Sequence, residues 1–380
     1  MDASPEALVR SVRTHLASFG ADLLVVRGEC EVGQRLLSSL PSGNLPLHVV
    51  RAGSGMNNIN KDYLNSLGVV YSNTPDVNTA STADLTLSHL LDACRSLSRA
   101  DQQVKQGSLD RDGLFGVTLS GKKLGIVGFG QIGQAVAARA KGFGMQVCAL
   151  RPRSWPADKP APEGVEFADS VDEVCEQADF LTLHVPLTPE TRGMIGMAQL
   201  QKLGDPNRTW SNSRPRKPVV VNMARGAVLD YTAVAWALQN GALHVVATDV
   251  PDEGSDKLLQ SMNNLEALGK LRFTPHIGGQ AEEASEAMGV AVVKAAERLL
   301  KQFVDVSPKN RMLPSLAGNA ALRRPWVVFQ QHCPVVLHCR HDSAGEPEKP
   351  ACGFSACRRY GLNCGGTNYT KLTTKDFLGS

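Results

Sequence analysis

Short apolar runs divide this chain into a regular rhythm. In residues 1–80, "DLLVV" at 22–26 and "LHVV" at 47–50 are separated by polar stretches of helical character, which predicts α/β structure. From 121 to 289 the pattern sharpens into "KLGIV", "QVCAL", "FLTLHV", "VVVN" and "HVVATDV", with helical segments between them. Runs that are apolar at nearly every position suit strands buried on both faces, hence a parallel sheet covered by helices on each side. Ahead of it, Ala83, Leu87, Leu90, Leu91, Cys94 and Leu97 recur at helical spacing, and Ser81 with Asp84 predicts a capping box at the start of that helix. The polar, proline-bearing stretch at 204–218 interrupts the alternation and is predicted to be a surface loop.

Beyond about residue 312 the periodicity ends. Five of the nine cysteines, Cys333, Cys339, Cys352, Cys357 and Cys364, crowd there with His332, His338 and His341. No C-x2-C pair is present and the spacings fit no usual zinc framework, so the segment is expected to be disordered and to hold no metal. Cys30, Cys94, Cys148 and Cys175 are scattered, and are expected to be buried thiols. With 42% hydrophobic and 20% charged residues, the 380-residue chain has the makeup of a globular protein with room for two domains. A net charge of +3 argues for neither nucleic acid nor a membrane surface as partner. No apolar run reaches membrane-spanning length and the start "MDASPEALVR" has no signal-like pattern, so a cytoplasmic location is expected.

The first chemistry lies at 123–154. Gly128-Phe129-Gly130-Gln131-Ile132-Gly133 directly follows the strand "KLGIV" and opens a helix, and a second strand closes the unit. In that context the glycines serve a tight turn (Gly128), close approach of the backbone to a pyrophosphate (Gly130) and helix–strand packing (Gly133). Free N–H groups at the helix start complete a dinucleotide site. An acidic residue after the second strand normally binds the ribose hydroxyl of NAD. Here that place holds Arg151, followed by Arg153 and Ser154. A guanidinium suits a 2′-phosphate, so NADP is favoured over NAD, with NAD kept as the alternative.

Six further segments, "RAGSGMNNIN" (51–60), "NTPDVNTASTADLTL" (73–87), "LTLHVPLTPETRGMIG" (181–196), "VVVNMARGAVLD" (219–230), "ATDVPDEGS" (247–255) and "TPHIGG" (274–279), occur in order. Together they resemble the D-isomer-specific 2-hydroxyacid dehydrogenases over roughly residues 20–312. The resemblance implies an α/β fold of two Rossmann-like doubly wound domains, with the NAD(P)-binding domain, 94–289, inserted in a discontinuous substrate domain, 1–93 and 290–312. The tail, 313–380, has no counterpart. About twenty residues precede "DLLVV", too few for the family's first strand and helix, so that edge strand is expected to be missing. The resemblance also implies a domain cleft for the active site and a homodimer.

Reduction of a 2-keto acid needs a cation for the carboxylate and carbonyl, and a proton donor for the developing alkoxide. The matched catalytic positions are Arg225 for the cation, His276 for the acid–base, and Glu253 to pair with His276 and favour its charged form. Glu253 lies four residues after Asp249 rather than five and lacks the following proline, leaving Asp252 as the fallback. Asp249 matches the position that contacts the nicotinamide carboxamide. Met223, Ala224, Arg225, His276, Gly278 and Gly279 line the same side. Arg51, Gly53, Ser54, Gly55 and Asn78 would face the substrate, and Arg51 suits a substrate phosphate. The implied activity is a phosphoglycerate-dehydrogenase-like one. Its alternatives are an NADPH-dependent glyoxylate or hydroxypyruvate reductase, a non-catalytic nucleotide-sensing scaffold of the corepressor type, and an inactive product.

Overall fold

A computed structural model of the chain describes residues 9–10, 12–14, 16–17, 23–27, 30–156, 158–209, 217–251, 269–305, 326–330 and 333–337. The chain divides into two compact units. One is Thr79–Ala281; the other is drawn from Met1–Asn78 and Glu282–Ser380.

The outer segments build a five-stranded sheet. Its first strands, β1 (Leu23–Val26), β2 (His48–Arg51) and β3 (Val70–Asn73), run parallel, joined by helices α1 (Gln34–Leu37) and α2 (Lys61–Ser66). Leu24, Val26 and Val49 pack with Val12, Leu16, Leu36 and Leu64 in this unit's core. Asn60 caps α2 by accepting from the Tyr63 N–H, as a short polar side chain at that position does.

The inner unit begins with α3 (Thr79–Arg95), which turns at Ser96 into α4 (Leu97–Lys105). The dinucleotide-type unit follows: β4 (Lys123–Val127), α5 (Gln131–Gly142) and β5 (Gln146–Leu150). Then come β6 (Val165–Ala168), α6 (Val171–Gln177), β7 (Phe180–Leu183), α7 (Met197–Leu203), β8 (Val219–Asn222), α8 (Tyr231–Gln239), β9 (Val245–Thr248) and β10 (Leu271–Phe273). The seven strands are all parallel, in the order β10-β9-β8-β7-β4-β5-β6. β7, β8 and β9 are buried along their whole length, which is why they read as unbroken apolar runs. One face packs Leu181, Val220 and Val246 against Val174, Leu200 and Val234 of α6, α7 and α8. The other packs Ile126, Val147 and Val221 against Leu87 and Leu90 of α3 and Val136 of α5. The strand order reverses between β4 and β7, and such a switch point opens a crevice at the carboxyl ends of the strands.

Returning to the outer unit, α9 (Glu282–Asp305) is followed by β11 (Trp326–Gln330) and β12 (Cys333–Leu337). β11 runs parallel to β1 on the side away from β2, and β12 is antiparallel to β11.

Four expectations change. The tail is not without structure throughout: residues 326–337 contain two five-residue β-branched strands, and they occupy the edge of β1 that was expected to stand open. The domain limits move from 93/94 and 289/290 to 78/79 and 281/282, because α3 lies against β8, β9 and α5 of the inner unit. Ser81 lies inside the helix and not at its start, since α3 already begins at Thr79, and Asp84 is held by Arg139. Leu97 belongs to the separate helix α4 and is 58% exposed.

The scattered cysteines are free and buried, and burial pushes the Cys94 and Cys175 thiols up to about 12. The remaining tail cysteines and the three tail histidines lie outside the described residues. Among the described residues no helix is long and apolar enough to cross a membrane.

Candidate functional site

The functional candidates of the inner unit fall at the carboxyl ends of neighbouring strands. Sheet register pairs Val127 with Leu183, Leu183 with Asn222, Asn222 with Thr248, and Thr248 with Phe273. The residues that follow each are therefore aligned: Gly128 after β4, His184 after β7, Met223–Arg225 after β8, Asp249 after β9 and Thr274–Gly279 after β10. Alignment of this kind is what a twisted parallel sheet offers a ligand laid across its end.

At the switch point the backbone is packed to contact. Gly128 has φ +102°, and a Cβ there would lie 2.6 Å from the His184 carbonyl carbon. A Cβ on Gly133 would lie 2.2 Å from the Gly128 carbonyl oxygen. Gly130 differs, with no atom of the described residues beyond its chain neighbours within 4 Å of where its Cβ would be. It is also the N-cap of α5 and, having no side chain, brings no cap, which leaves the first N–H groups of the helix, from Gln131, Ile132 and Gly133, as the positive end of the helix dipole. These are the features a pyrophosphate requires.

His184 was quoted within a motif but given no role by the sequence reading. Both of its ring nitrogens are buried and lack a partner among the described residues, and burial drives its pKa down to about 3. A neutral imidazole with no hydrogen bond, next to the glycine turn, is a group that a ligand would satisfy. Its signal in the sequence was a histidine immediately after the mostly apolar run Phe180–Leu183.

After β8, Asn222 is fully buried and clamps the turn behind it. Its amide nitrogen donates to the Arg225 carbonyl (2.9 Å), and its amide oxygen accepts from the Ala224 N–H (2.9 Å). Met223 and Ala224 are buried, and the Arg225 guanidinium donates to the Ala224 carbonyl at 2.6 Å.

After β9 and β10 a second turn is built around one carboxylate. Asp249, 2% exposed, accepts from the Thr274 hydroxyl (2.5 Å) and the Ile277 N–H (2.8 Å) on Oδ1, and from the Gly278 N–H (2.7 Å) on Oδ2. His276, at the crest, is exposed and has φ +57°, a left-handed conformation that costs a non-glycine residue about 1 kcal/mol or more. The flanking N–H bonds to Asp249 hold it there. Gly279 follows at the rim, partly buried.

Arg151 leaves the end of β5 and donates through Nε to Asp169 (3.0 Å) while lying 5.0 Å from the Phe167 ring centroid. Asp169 follows β6 and was not foreseen as its partner. Phe167 packs edge-on with Phe129 and Trp155. Arg151, Lys159, Val165 and Phe167 line an open depression of about 500 Å³. Arg153 and Ser154 occupy the exposed turn beyond it.

In the outer unit, the loop after β2 is a closed network. The Gly53 N–H donates to Thr74 Oγ1 (2.7 Å), Ser54 Oγ to Asn78 Oδ1 (3.0 Å), and Asn73 Nδ2 to the Ser54 carbonyl (2.8 Å). Gly53 has φ +137°, and the Arg51 guanidinium folds over it onto the Ala52 carbonyl. Gly55 continues the same loop. Glu253 and its fallback Asp252 lie outside the described residues.

Residues 87–278 match the family model for the D-isomer specific 2-hydroxyacid dehydrogenase, NAD binding domain. A D-3-phosphoglycerate dehydrogenase of Methanocaldococcus jannaschii is 36% identical over 282 residues, which are 74% of this chain and 50% of that protein. A hydroxypyruvate reductase of Thermotoga maritima is 33% identical over 74% of this chain and 85% of its own length. The crystal structure of a glyoxylate reductase from Paecilomyes thermophila is similar with a TM-score of 0.63 and 26% identity, covering 78% of this chain and 86% of that one. The chain spans about half the length of the curated phosphoglycerate dehydrogenases it matches.

Proposed function

The chain belongs to the D-isomer specific 2-hydroxyacid dehydrogenase family, and from that we propose that it moves a hydride between a nicotinamide cofactor and a small 2-hydroxy or 2-keto acid, most like phosphoglycerate dehydrogenase. The observation that carries the reading is the strand register, which aligns Arg225, Asp249 and His276 at three successive strand ends. The residues fit a dinucleotide: among the described residues Gly130 opens on space, α5 starts with no side-chain cap, and the His184 ring has no partner. Gly128 to Gly133 would take the pyrophosphate, and Met223, Ala224, Asp249, Gly278 and Gly279 the nicotinamide end. When bound, the cofactor supplies or accepts the hydride.

The chain's own groups do the rest. Arg225 holds the substrate carboxylate with its planar fork and polarises the adjacent carbonyl. His276 gives a proton to the carbonyl oxygen in reduction and takes it from the hydroxyl in oxidation. Glu253 is assigned to pair with His276 by resemblance. Arg51, Gly53, Ser54, Gly55 and Asn78 are assigned to the substrate's far end.

Arg151 supports NADP over NAD. Its Nε is engaged by Asp169 while its two terminal nitrogens have no partner among the described residues, so they are available to a 2′-phosphate. The acid beside it makes the preference modest. The same observation favours a second reading, an NADPH-dependent glyoxylate or hydroxypyruvate reductase. A second copy of this chain is assigned to the exposed apolar surface of Leu97, Val104, Leu109 and Phe115, making a homodimer in the cytoplasm. Phosphorylated and unphosphorylated hydroxy acids, each with both cofactors, test the reading. Turnover of one pair supports it and names the branch. Cofactor binding without turnover of any acid favours the scaffold reading instead.

A further inference from the structure

The buried face of α3 carries a stripe that packing alone does not require. Thr82, Thr86 and His89 lie at i, i+4 and i+7 among Ala83, Leu87, Leu90 and Ala93, and all are buried. Two members of the stripe reach the turn that presents His276. Thr82 Oγ1 lies 3.2 Å from the Gly278 carbonyl oxygen, and His89 Nε2 lies 3.0 Å from Thr274 Oγ1. Thr86 donates back to the Thr82 carbonyl. The helix thus grips the turn at both ends, while Asp249 holds it from inside.

The hydrogens in this chain of contacts are determined by chemistry. A carboxylate only accepts, so the Thr274 hydroxyl must give its one proton to Asp249. Its oxygen is then left to accept, and His89 Nε2 must carry the hydrogen that it receives. We infer that His89 is a positioning residue, which acts through Thr274 on Asp249 to hold the turn carrying His276. Desolvation by burial is the largest influence on the His89 ring and lowers its pKa, against the charges of Asp249 and Asp92, the latter paired with Arg272 at 3.1 Å. A neutral imidazole is therefore the species at physiological pH, and it has the one donor the relay requires. Burying an imidazole where a leucine would pack costs free energy unless the hydrogen bond is made, and here it is made to the one hydroxyl that orients Asp249.

The role of His276 in the test rests on the proposed function, so the primary readout does not use turnover. Amide hydrogen exchange is measured at Ile277 and Gly278, whose N–H groups report the Asp249 bonds directly. His89→Leu is expected to speed both roughly tenfold against amides of β8, the loss of about one hydrogen bond. His89→Gln, which keeps a donor near Nε2, is expected to restore most of the protection. Thr274→Val removes the relay with the imidazole left in place. It should cost at least as much as His89→Leu, because the Thr274–Asp249 bond goes too, and the double variant should be no worse than Thr274→Val. In turnover, His89→Leu is expected to lower kcat roughly tenfold with substrate KM within about twofold. Unchanged exchange in His89→Leu, no rescue by His89→Gln, or additive losses in the double variant would overturn the inference. If His89→Leu does not fold, exchange in Thr274→Val and His89→Gln decides alone. A wild-type protein that turns over no hydroxy acid sinks the proposed function, and the exchange result still decides the role of His89.

Discussion

The turns after β10 and after β4 stand on the same sheet edge and are finished in opposite ways. Around Thr274–Gly278, one buried carboxylate takes three hydrogen bonds and α3 adds two more. Around Gly128–Gly133, among the described residues, the helix starts without a side-chain cap, Gly130 faces open space, and the neighbouring His184 ring has no partner. Native proteins rarely leave buried polar atoms unpaired. The first turn is therefore a platform completed by the protein itself, and the second is completed by what it binds. A strained residue such as His276 can persist only on a platform of the first kind.

The largest expected effect lies with His276 on the platform and Arg225 on the turn after β8. Arg225→Ala or His276→Ala should lower kcat/KM by about 10³-fold or more with cofactor affinity changed only a few-fold, because in the proposed function each contacts the reacting groups. Fluorescence titration with reduced cofactor, beside steady-state kinetics, separates the two. Loss of cofactor binding in proportion to turnover would merge the two regions and break the contrast.

Next come two glycines of one motif. Gly133→Ala drives a methyl into the Gly128 carbonyl and should cost about 2–3 kcal/mol of stability, visible as a lowered Tm. Gly130→Ala meets no protein atom, so the Tm should hold while cofactor affinity falls about tenfold or more. Equal Tm losses in both would mean that the space over Gly130 is not reserved for a ligand.

Acid stability offers a third test. Burial depresses His184 to about 3, and burial with Lys217, Lys270 and Arg272 depresses His244 to about 4. Both have ordinary values of 6.5, so below pH 6.5 the unfolded chain takes up protons that the folded one does not. Stability is thus full above pH 6.5 and falls as pH drops toward 4 and 3. Each histidine adds up to about 1.4 kcal/mol per pH unit to the slope. Urea unfolding between pH 7 and 5 measures it, and His244→Gln should flatten the curve. A flat profile in the parent would contradict the burial of these rings.

The smallest effect concerns the ribose. Arg151→Asp should shift the ratio of NADPH to NADH affinity several-fold, roughly tenfold at most, because Asp169 already shares the guanidinium. No shift would remove Arg151 from cofactor choice.

The inner sheet was legible in the sequence because its central strands are buried on both faces, which leaves an unbroken apolar run for each. Gly128, Arg225 and Asp249 were legible because each stands one to three residues past such a run, and His276 because it lies in "TPHIGG", a motif of a recognisable family. His89 was passed over because it sits in a helical stripe whose apolar members explain its burial, and its partner Thr274 is 185 residues away. Asp169 was missed for the same reason: it meets Arg151 only because β5 and β6 are neighbours in space. The pairing of β11 with β1 joins Val327 to Leu24, and a five-residue strand carries no local sign of a partner at that separation.

The most direct measurement is single-turnover reduction of 3-phosphohydroxypyruvate, hydroxypyruvate and glyoxylate by NADPH and by NADH, in the parent chain and in Arg225→Ala. The expected result is oxidation of reduced cofactor with at least one acid by the parent, lost in Arg225→Ala while cofactor still binds. Turnover that survives in Arg225→Ala, or cofactor binding with no oxidation by the parent for any acid, would contradict the assignment of this sheet edge as a hydride-transfer site.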